Sequence, residues 1–536
     1  MVTHRLAPLL LALCAAAWPL ASCAFSEADY ARSQTLGSDM KIYWNIDGGN
    51  IRLALETTAT GWVGFGLAEM GRMPGSDIVY YEAASNAITD AYAVGFAAPV
   101  RDACQSWALV ASENVGGKMR VEMTRALTSG DKADRDIVDD SAWPLEPTKV
   151  IAAWGNQATM TYHGTASRAQ STVRFFAPSA PSGPIAALNA NVASSEYTSF
   201  VIKPSTSTAA STYAVPAAKT TYWEFDFPVQ AASGAQNGSV PIHMVAAEAV
   251  ITQGNLAYVH HFVLHGCSSS DCSGVCSKLW AWAPGSPSFA TPPAAGFRLM
   301  GSGIKCLKTQ THYDNPSLSS SIVDDSGIRV FTTKVGGALR PQDAGMLVFG
   351  DENVVQGLSL PAGYSSTEFQ SGSCTSLFGD ADVTVFGEGL HMHLVGKAME
   401  VSLERGGSVV RSSRVDYYDF DAAGVFTNPT VGAGFKLLKG DVYRVKCYYD
   451  TGSASDVEFG LGSEQEMCMS FVSYYPVQAG VSGGACSPQQ SKADNAATGA
   501  SLVSGGYVGL TALAGFGRQF AVQSASFSCP PLPEVG

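Results

Sequence analysis

Short apolar runs, separated by turns rich in Gly, Asn and Asp, follow one another along most of this chain. The stretch KIYWNIDGGNIRLALE, residues 41–56, is typical, with two strand-like runs on either side of an Asp-Gly-Gly-Asn turn. Such runs are the pattern of β-strands, and the second half of the chain shows no long amphipathic helix. Only 15% of the 536 residues are charged, and 55 are glycine. The sequence therefore predicts an all-β protein, and its length predicts about three domains.

The first 24 residues have the pattern of a secretory signal peptide. A weakly basic start precedes an apolar run from Leu6 to Leu20 and small residues before a cut after Ala24. Cys23 also suits bacterial lipoprotein processing, so that variant stays open. We expect a secreted or secretory-pathway protein, and no later segment is long and apolar enough to span a bilayer.

Removal of that segment leaves an even number of cysteines. Of the 12 in the chain, Cys14 and Cys23 are removed and ten remain. An even count in a secreted chain indicates a disulfide framework. The formal net charge of −13 argues against nucleic acid and anionic membranes as partners. Asn237, in QNGS, is either a glycosylation sequon or an ordinary Asn-Gly turn.

Composition divides the mature chain into three strand-rich regions, a linker and a tail. The first region is residues 25–176. Residues 177–215 are rich in Pro, Ser and Ala with almost no charge, which is typical of a linker. Strand-like runs then resume, and the stretch GLSLPAGYSS divides them into sub-domains at 216–355 and 356–500. Residues 501–536 form the tail.

Five of the nine histidines form two spaced groups in the second half of the chain. His391 and His393 stand two apart in LHMHLVG, so on a strand they project from one face, roughly 6.5–7 Å apart at the backbone. Adjacent His260 and His261 point to opposite faces of a regular strand, so both reach one ion only at a bulge or strand end. His312 lies far downstream in THYDNP. Taken singly, each histidine is also explained as a hydrogen-bonded core or surface residue.

The residue types limit the chemistry of these groups. Imidazole clusters suit zinc, copper or iron, and a thioether ligand favours Cu(I). The zinc motif H-E-x-x-H is missing from the sequence, and the cysteines are expected to be committed to disulfides, so hydrolysis is poorly supported. A zinc hydrolase ranks third among the interpretations considered.

Six motifs stand in order between residues 216 and 490: TTYWEF, GNLAYVHHFVLHGC, THYDNP, LHMHLVGKAM, GDVYRVKCYYD and EQEMCMSFVSYYP. Together they resemble the copper type II, ascorbate-dependent monooxygenases, the family of dopamine beta-hydroxylase and peptidylglycine alpha-hydroxylating monooxygenase. Ahead of them, GWVGFGLAEMGRMPGSDIVYY, ITDAYAVG and TYHGTASRAQSTVRFF resemble a DOMON domain, an order found in dopamine beta-hydroxylase-like proteins. The implied fold is all-β, with a DOMON β-sandwich at 25–176 followed by two jelly-roll-like β-sandwich sub-domains.

The resemblance implies two coppers per chain and assigns their ligands. The copper that takes electrons from ascorbate would be held by His260, His261 and His312. The copper that binds O2, where the catalytic residues lie, would be held by His391, His393 and Met467. The implied reaction hydroxylates a C–H bond of a small substrate, with electrons crossing a solvent cleft between the two sub-domains.

Two nearby residues have plainer explanations. His265 is not a ligand in this scheme and is expected to be structural. Met467, without its His-x-His partner, would be explained as a buried core residue beside a disulfide.

The resemblance also bears on the cysteines. It implies the disulfides Cys447–Cys468 and Cys374–Cys486. Glu224 stands where the family has a cysteine, so one bridge of the first sub-domain is lost. Two pairs, in any of three connectivities, can still form among Cys267, Cys272, Cys276 and Cys306. The remaining pair, Cys104 and Cys529, would tie the DOMON domain to the tail.

Residues near the second histidine group bear on the substrate. The peptide-amidating enzyme has an Asn and a Tyr after its Met ligand and an Arg before H-x-H, where this chain has Met469, Phe471 and Gly389. A peptidylglycine substrate is therefore not expected. An aromatic amine would require an acidic or cation–π partner, and the nearby candidate is Glu388, which is otherwise explained as a solvated loop residue.

The DOMON region offers a further cofactor. Haem-binding members use a Met after GWVGFG and a His near the last strands, and Met73 and His163 stand at similar places, with Met70 as a rival to Met73. Met–His ligation would give a b-type electron-transfer haem. The alternative function is then an extracellular haem electron-transfer or ligand-binding protein with a degenerate copper fold. An empty or purely structural sandwich is the simpler reading of this domain.

Overall fold

A computed structural model of the chain describes most of the residues after the predicted signal peptide, which itself lies outside the described part. The described residues are 25–131, 133–140, 147–176, 196–208, 211–283, 288–315, 317–351, 359–363, 366–370, 382–420, 426–427, 434–452, 455–460, 464–477 and 501–505. Nearly all regular structure in them is β-strand, which confirms the predicted all-β class.

Two antiparallel sheets form the N-terminal sandwich. Its strands are β1 (Arg32–Leu36), β2 (Met40–Asp47), β3 (Asn50–Thr57), β4 (Trp62–Leu67), β5 (Asp77–Glu82), β6 (Ala87–Tyr92), β7 (Val100–Arg101), β8 (Ala108–Val115), β9 (Lys118–Ala126), β10 (Thr148–Gly155) and β11 (Arg168–Val173). One sheet has the order β1-β2-β3-β9-β8 and the other β11-β10-β4-β5-β6-β7. Apolar side chains such as Trp44, Leu53 and Phe65 fill the space between them.

The middle sandwich carries the first histidine group. Its elements are β12 (Tyr197–Ile202), β13 (Tyr213–Ala214), β14 (Thr220–Pro228), α1 (Val229–Ala232), β15 (Ile242–Val250), β16 (Val259–Cys267), β17 (Cys276–Trp282), β18 (Phe289–Ala290), β19 (Ala295–Leu299), β20 (Cys306–Asp314), β21 (Val323–Asp324), β22 (Gly327–Thr333) and β23 (Gln342–Asp343). The sheet β12-β22-β15-β19-β23 faces the sheet β14-β20-β16-β17, and both contribute to one apolar core. Phe262 and Leu264 are buried in that core and alternate on β16 with the less buried Val263 and His265.

The C-terminal sandwich carries the second histidine group. Its strands are β24 (Gly345–Asp351), β25 (Ser359–Leu360), β26 (Ser366–Gln370), β27 (Val383–His391), β28 (Gly396–Arg405), β29 (Ser408–Val415), β30 (Phe426–Thr427), β31 (Phe435–Leu437), β32 (Val442–Tyr449), β33 (Val457–Glu458), β34 (Cys468–Tyr475) and β35 (Ser501–Gly505). The two main sheets are β24-β34-β27-β30 and β29-β28-β32-β26-β35.

Strand pairing crosses three of the predicted boundaries, by a few residues to about twenty. β12 pairs with β22, so the predicted linker 177–215 contains a strand of the middle sandwich. β24 pairs with β34, which assigns residues 345–351 to the C-terminal sandwich, and β35 takes the first residues of the predicted tail. Thr, Ser and Val are common in strands as well as in linkers, so composition alone could not separate the two.

Disulfides fasten the strands of the first histidine group at their far end. Among the three open connectivities, the structure has Cys267–Cys276 and Cys272–Cys306. Cys267 lies opposite both Cys276 on β17 and Cys306 on β20. Both disulfides therefore lie at the end of these strands away from His260.

The remaining cysteines are only partly described. The structure bonds Cys447 to Cys468, which joins β32 to β34. Cys104 is also disulfide-bonded. Its predicted partner Cys529, and the predicted pair Cys374–Cys486, lie outside the described residues. Within the described part of the chain, no helix has the length and apolar character needed to cross a membrane.

Candidate metal centres

The register of two strands assembles the first histidine group, called here the three-histidine centre (His260, His261 and His312). β16 and β20 are antiparallel, so the start of one lies beside the end of the other, and His261 pairs with His312. The register shifts between Val259 and His261. This is the bulge that the adjacent histidines require, because it frees His260 from the strict alternation of the strand.

Three ring nitrogens converge in this centre. The Nδ1 atom of His261 lies 3.2 Å from Nδ1 of His260 and 3.4 Å from Nδ1 of His312. One nitrogen from each ring lies within 4.8 Å of the other two. Tyr222 stacks on His312 with ring centroids 4.3 Å apart, which restricts the orientation of that imidazole. Three imidazoles in this arrangement form a donor set for one transition-metal ion.

Burial keeps the imidazoles of His261 and His312 in the form that binds metal. It lowers the pKa of His312 to about 3, and the nearby His260 adds to the effect. The pKa of His261 also lies well below its ordinary value, first because of burial and then because of His312 and His260. A neutral imidazole offers the lone pair that a metal requires, so both rings are donors at neutral pH.

The second group, called here the His-Met centre (His391, His393 and Met467), lies at the end of β27. His391 is the last residue of that strand and His393 follows two residues later, with ring centroids 5.0 Å apart. All three side chains are buried. Met467 immediately precedes β34, which is the neighbour of β27 in the sheet.

A buried carboxyl group joins the two segments of the His-Met centre. Glu466 accepts hydrogen bonds from the backbone N–H of His393 at 2.9 Å and of Met467 at 3.2 Å through one oxygen. Its other oxygen accepts from the N–H of Val395 at 2.8 Å. Burial raises the pKa of Glu466 to about 8. Glu466 therefore fixes the backbone of two predicted ligands, although the sequence offered only its position before Met467 in EQEMC as a signal.

The donor chemistry of the His-Met centre fits copper. Nδ1 of His393 lies 3.0 Å from the carbonyl oxygen of Gln465, which places the ring proton on Nδ1 and the lone pair on Nε2. Met467 is buried and its backbone is joined to that of His393 through Glu466. Its thioether would add a soft donor to the two imidazoles, and soft sulfur favours Cu(I). The three imidazoles of the other centre equally suit copper, so both predicted ligand sets have suitable donors.

One phenylalanine ring lies between the two centres. Phe420 stacks on His260 with centroids 5.0 Å apart and meets His393 edge to face at 5.6 Å. Phe420 is itself buried. One side chain therefore contacts a residue of each centre, and the two centres are near neighbours. No motif in the sequence marks Phe420 for this position.

The suggested substrate role of Glu388 is wrong. Glu388 is 1% exposed and receives hydrogen bonds from Arg411 at 3.2 and 3.0 Å, from Ser413 at 2.7 Å and from Tyr443 at 2.6 Å. It stands three residues before His391 on β27, so the two side chains point to opposite faces of the sheet. Glu388 is part of the interior of the sandwich and does not face the His-Met centre.

The two predicted haem ligands are not brought together. Met73 lies in the loop after β4, and His163 lies in the loop after β10. Because β10 runs antiparallel to β4, with Gly155 opposite Trp62, these loops leave opposite ends of the strand pair. The two loops are separated by the length of β4, whose six residues span roughly 15–20 Å. Axial ligands must bind one iron, so this pair does not fit a haem, and the rival Met70 is buried in a hydrophobic core.

Family models match all three sandwiches. The N-terminal sandwich matches the DOMON domain over residues 36–145. The other two match the N-terminal and C-terminal domains of the copper type II ascorbate-dependent monooxygenases over residues 206–320 and 342–496. The two copper models together cover half of the chain.

Curated relatives match different lengths of the chain. The DBH-like monooxygenase protein 1 of Homo sapiens is 27% identical, over 83% of this chain and 73% of the human protein. Dopamine beta-hydroxylase of Rattus norvegicus is 29% identical, over 49% of this chain and 44% of the rat protein. Tyramine beta-hydroxylase of Caenorhabditis briggsae is 28% identical, over 44% of this chain and 42% of the nematode protein.

Proposed function

Because the chain belongs to the copper type II ascorbate-dependent monooxygenase family, we propose that it is a secreted two-copper enzyme that hydroxylates a C–H bond of a small substrate with O2 and ascorbate. The observation that carries the proposal is the pair of donor sets, three imidazoles in one and two imidazoles with a buried thioether in the other. The two sets differ in softness, as expected for two coppers with different tasks.

The residues of the chain divide the work between the centres. Copper, when bound, supplies one-electron chemistry and the reaction with O2. The three-histidine centre holds its imidazoles on two paired strands, which suits transfer of electrons without rearrangement of the ligands. The His-Met centre excludes water through burial of His391, His393 and Met467. Phe420, between the two, keeps the centres close and the space between them apolar.

An apolar face beside His391 supports a substrate with an apolar, aromatic body. Met469 lies opposite His391 across the strand pair, and the ring of Phe471 lies 6.2 Å from the His391 ring. Met346 and Val348 of β24 pack against these residues. Apolar side chains at this position favour burial of hydrocarbon next to the reacting C–H bond.

The charge at this face affects whether a substrate with an amine group would bind here. The ammonium of Lys278, from the middle sandwich, lies 5.0 Å over the ring of Phe471. Glu388 is turned to the other face, so it does not offer a negative charge here, whereas Lys278 offers a positive one. A panel of substrates should therefore include aromatic molecules with amine, neutral and carboxylate ends.

The test is oxygen consumption by the purified full-length protein with copper and ascorbate, across phenylethylamines and their neutral and acidic analogues. We expect ascorbate-dependent consumption coupled to a hydroxylated product with the unaltered protein and none with His391→Ala or Met467→Ile. Both variants must retain the circular dichroism spectrum of the unaltered protein. Equal consumption by the unaltered protein and both variants, with every substrate, would overturn the proposal.

A further inference from the structure

A loop of the DOMON sandwich enters the C-terminal sandwich. This docking loop, residues 68–76, connects β4 to β5. Its Met70 is 3% exposed and belongs to the hydrophobic core that contains Tyr418 and Phe420. Loops usually lie in water, so a methionine buried in another domain's core is a specific attachment.

Polar contacts attach the docking loop to residues 416–420, called here the bridging segment. Glu69 accepts hydrogen bonds from the backbone N–H of Asp416 at 3.3 Å and of Tyr417 at 3.2 Å. Arg72 pairs with Asp419 at 3.1 Å. The loop thus binds the segment at both its start and its end.

The DOMON sandwich holds the docking loop from its other side. Arg135 pairs with Glu69 at 3.2 Å and donates a hydrogen bond to the carbonyl oxygen of Gly75 at 2.8 Å. Gly75 has φ +72°, and a Cβ there would lie 2.6 Å from the ring of Tyr417. Glycine meets both requirements, a left-handed backbone and close approach to the bridging segment.

The bridging segment contacts the candidate metal centres directly. The hydroxyl of Tyr418 accepts a hydrogen bond from the N–H of Met392 at 3.0 Å and donates one to the carbonyl oxygen of Met392 at 2.7 Å. Met392 stands between His391 and His393. Two residues further along the segment, Phe420 contacts both His393 and the three-histidine centre.

We infer that the docking loop is a positioning element for the His-Met centre, acting through the bridging segment. Displacement of the loop displaces Tyr418, which fixes the peptide between the two histidines, and Phe420, which packs on them. The effect on the backbone follows from these contacts alone, and only the effect on bound copper rests on the proposed function. The DOMON domain then contributes to the copper geometry although it supplies no ligand.

Two glycines of the docking loop provide a matched test. Gly75→Ala places a methyl group against Tyr417. Gly71→Ala introduces the same residue at a similar φ of +76°, but its nearest neighbour would be a side-chain carbon of Lys149 at 3.7 Å. Both alanines share the backbone strain, so the difference between them isolates the push on the bridging segment.

The first measurement is hydrogen–deuterium exchange of the full-length protein without metal. We expect peptides that contain Met392 to exchange about fivefold faster in Gly75→Ala than in Gly71→Ala, the effect of losing one hydrogen bond. The second measurement is the infrared stretch of carbon monoxide bound to the reduced, copper-loaded protein. We expect it to shift in Gly75→Ala and to match the unaltered protein in Gly71→Ala.

A charge exchange covers the case in which Gly75→Ala does not fold. Arg72→Glu should accelerate exchange at Met392, and adding Asp419→Arg should restore it, because the pair re-forms with opposite polarity. Equal exchange in Gly75→Ala and Gly71→Ala, or no effect of Arg72→Glu, would overturn the inference. If the unaltered protein binds no copper, the proposed function fails, and the exchange data still decide the inference.

Discussion

The three-histidine centre is assembled by strand pairing, whereas the His-Met centre is assembled by hydrogen bonds from outside its strand. His261 and His312 are partners in a register stapled by disulfides at the far end. His393 lies beyond the end of β27 and depends on Glu466 and Tyr418 for its backbone position. The comparison suggests a rigid centre for electron transfer beside a centre whose geometry other parts of the molecule can adjust.

The largest difference between the centres is expected from Glu466→Ala. Three backbone N–H groups lose their buried acceptor, which should lower the free energy of unfolding by at least about 3 kcal/mol. Copper should be lost from the His-Met centre and retained by the three-histidine centre. Thermal unfolding and copper analysis measure both effects. Glu466→Gln, which keeps an amide oxygen, should lose less stability, and full copper content in Glu466→Ala would contradict the assembly described here.

The reciprocal change is His312→Ala. The three-histidine centre should lose its copper while the His-Met centre keeps its own, and the lost packing on Tyr222 should cost about 2 kcal/mol. His265→Ala is the control, because His265 lies on β16 with His260 and His261 but outside the centre. Copper analysis should give one copper for His312→Ala and two for the control. Loss of both coppers from His312→Ala would show that the centres are not independent.

The smallest effect is expected from Tyr418→Phe. It removes only the hydroxyl that binds the Met392 peptide, so the free energy of unfolding should fall by about 1 kcal/mol. Both coppers should remain, with an altered electron paramagnetic resonance spectrum for the oxidised His-Met centre. Tyr222→Phe is a control on the other centre. If the spectrum of Tyr418→Phe were identical to that of the unaltered protein, the bridging segment would not position the His-Met centre.

One centre is assembled by strand pairing and the other by hydrogen bonds from outside its strand. This difference determines how much of each centre could be predicted from the sequence. The alternation of strands predicts the all-β class, and strand geometry predicts both the bulge at His260 and the shared face of His391 and His393. His312 lies some fifty residues from His261, so only the family resemblance could join them. His393 lies beyond the strand that was expected to carry both His391 and His393. The alternation within β27 turns Glu388 and His391 to opposite faces, so the same rule argues against Glu388 as a substrate partner.

The contacts between domains could not be predicted in the same way. Glu466, Tyr418 and Phe420 lie in connecting segments outside the named strands. No repeating pattern in the sequence predicts the conformation of such segments. Met70 and Met73 follow a glycine-rich strand as haem ligands do in similar domains, but the same loop is occupied in docking on the C-terminal sandwich. Composition and residue spacing do not predict such tertiary contacts.

The most direct test of the account is whether sulfur from Met467 binds copper. X-ray absorption of the reduced, copper-loaded protein should be compared between the unaltered chain, Met467→Leu and Met469→Leu. Both methionines are buried and lie two residues apart in one apolar cluster, so the variants are matched in packing. We predict a sulfur scatterer at one of the two coppers in the unaltered protein and in Met469→Leu, and none in Met467→Leu. Sulfur scattering that persists in Met467→Leu, or is absent from the unaltered protein, would contradict the account.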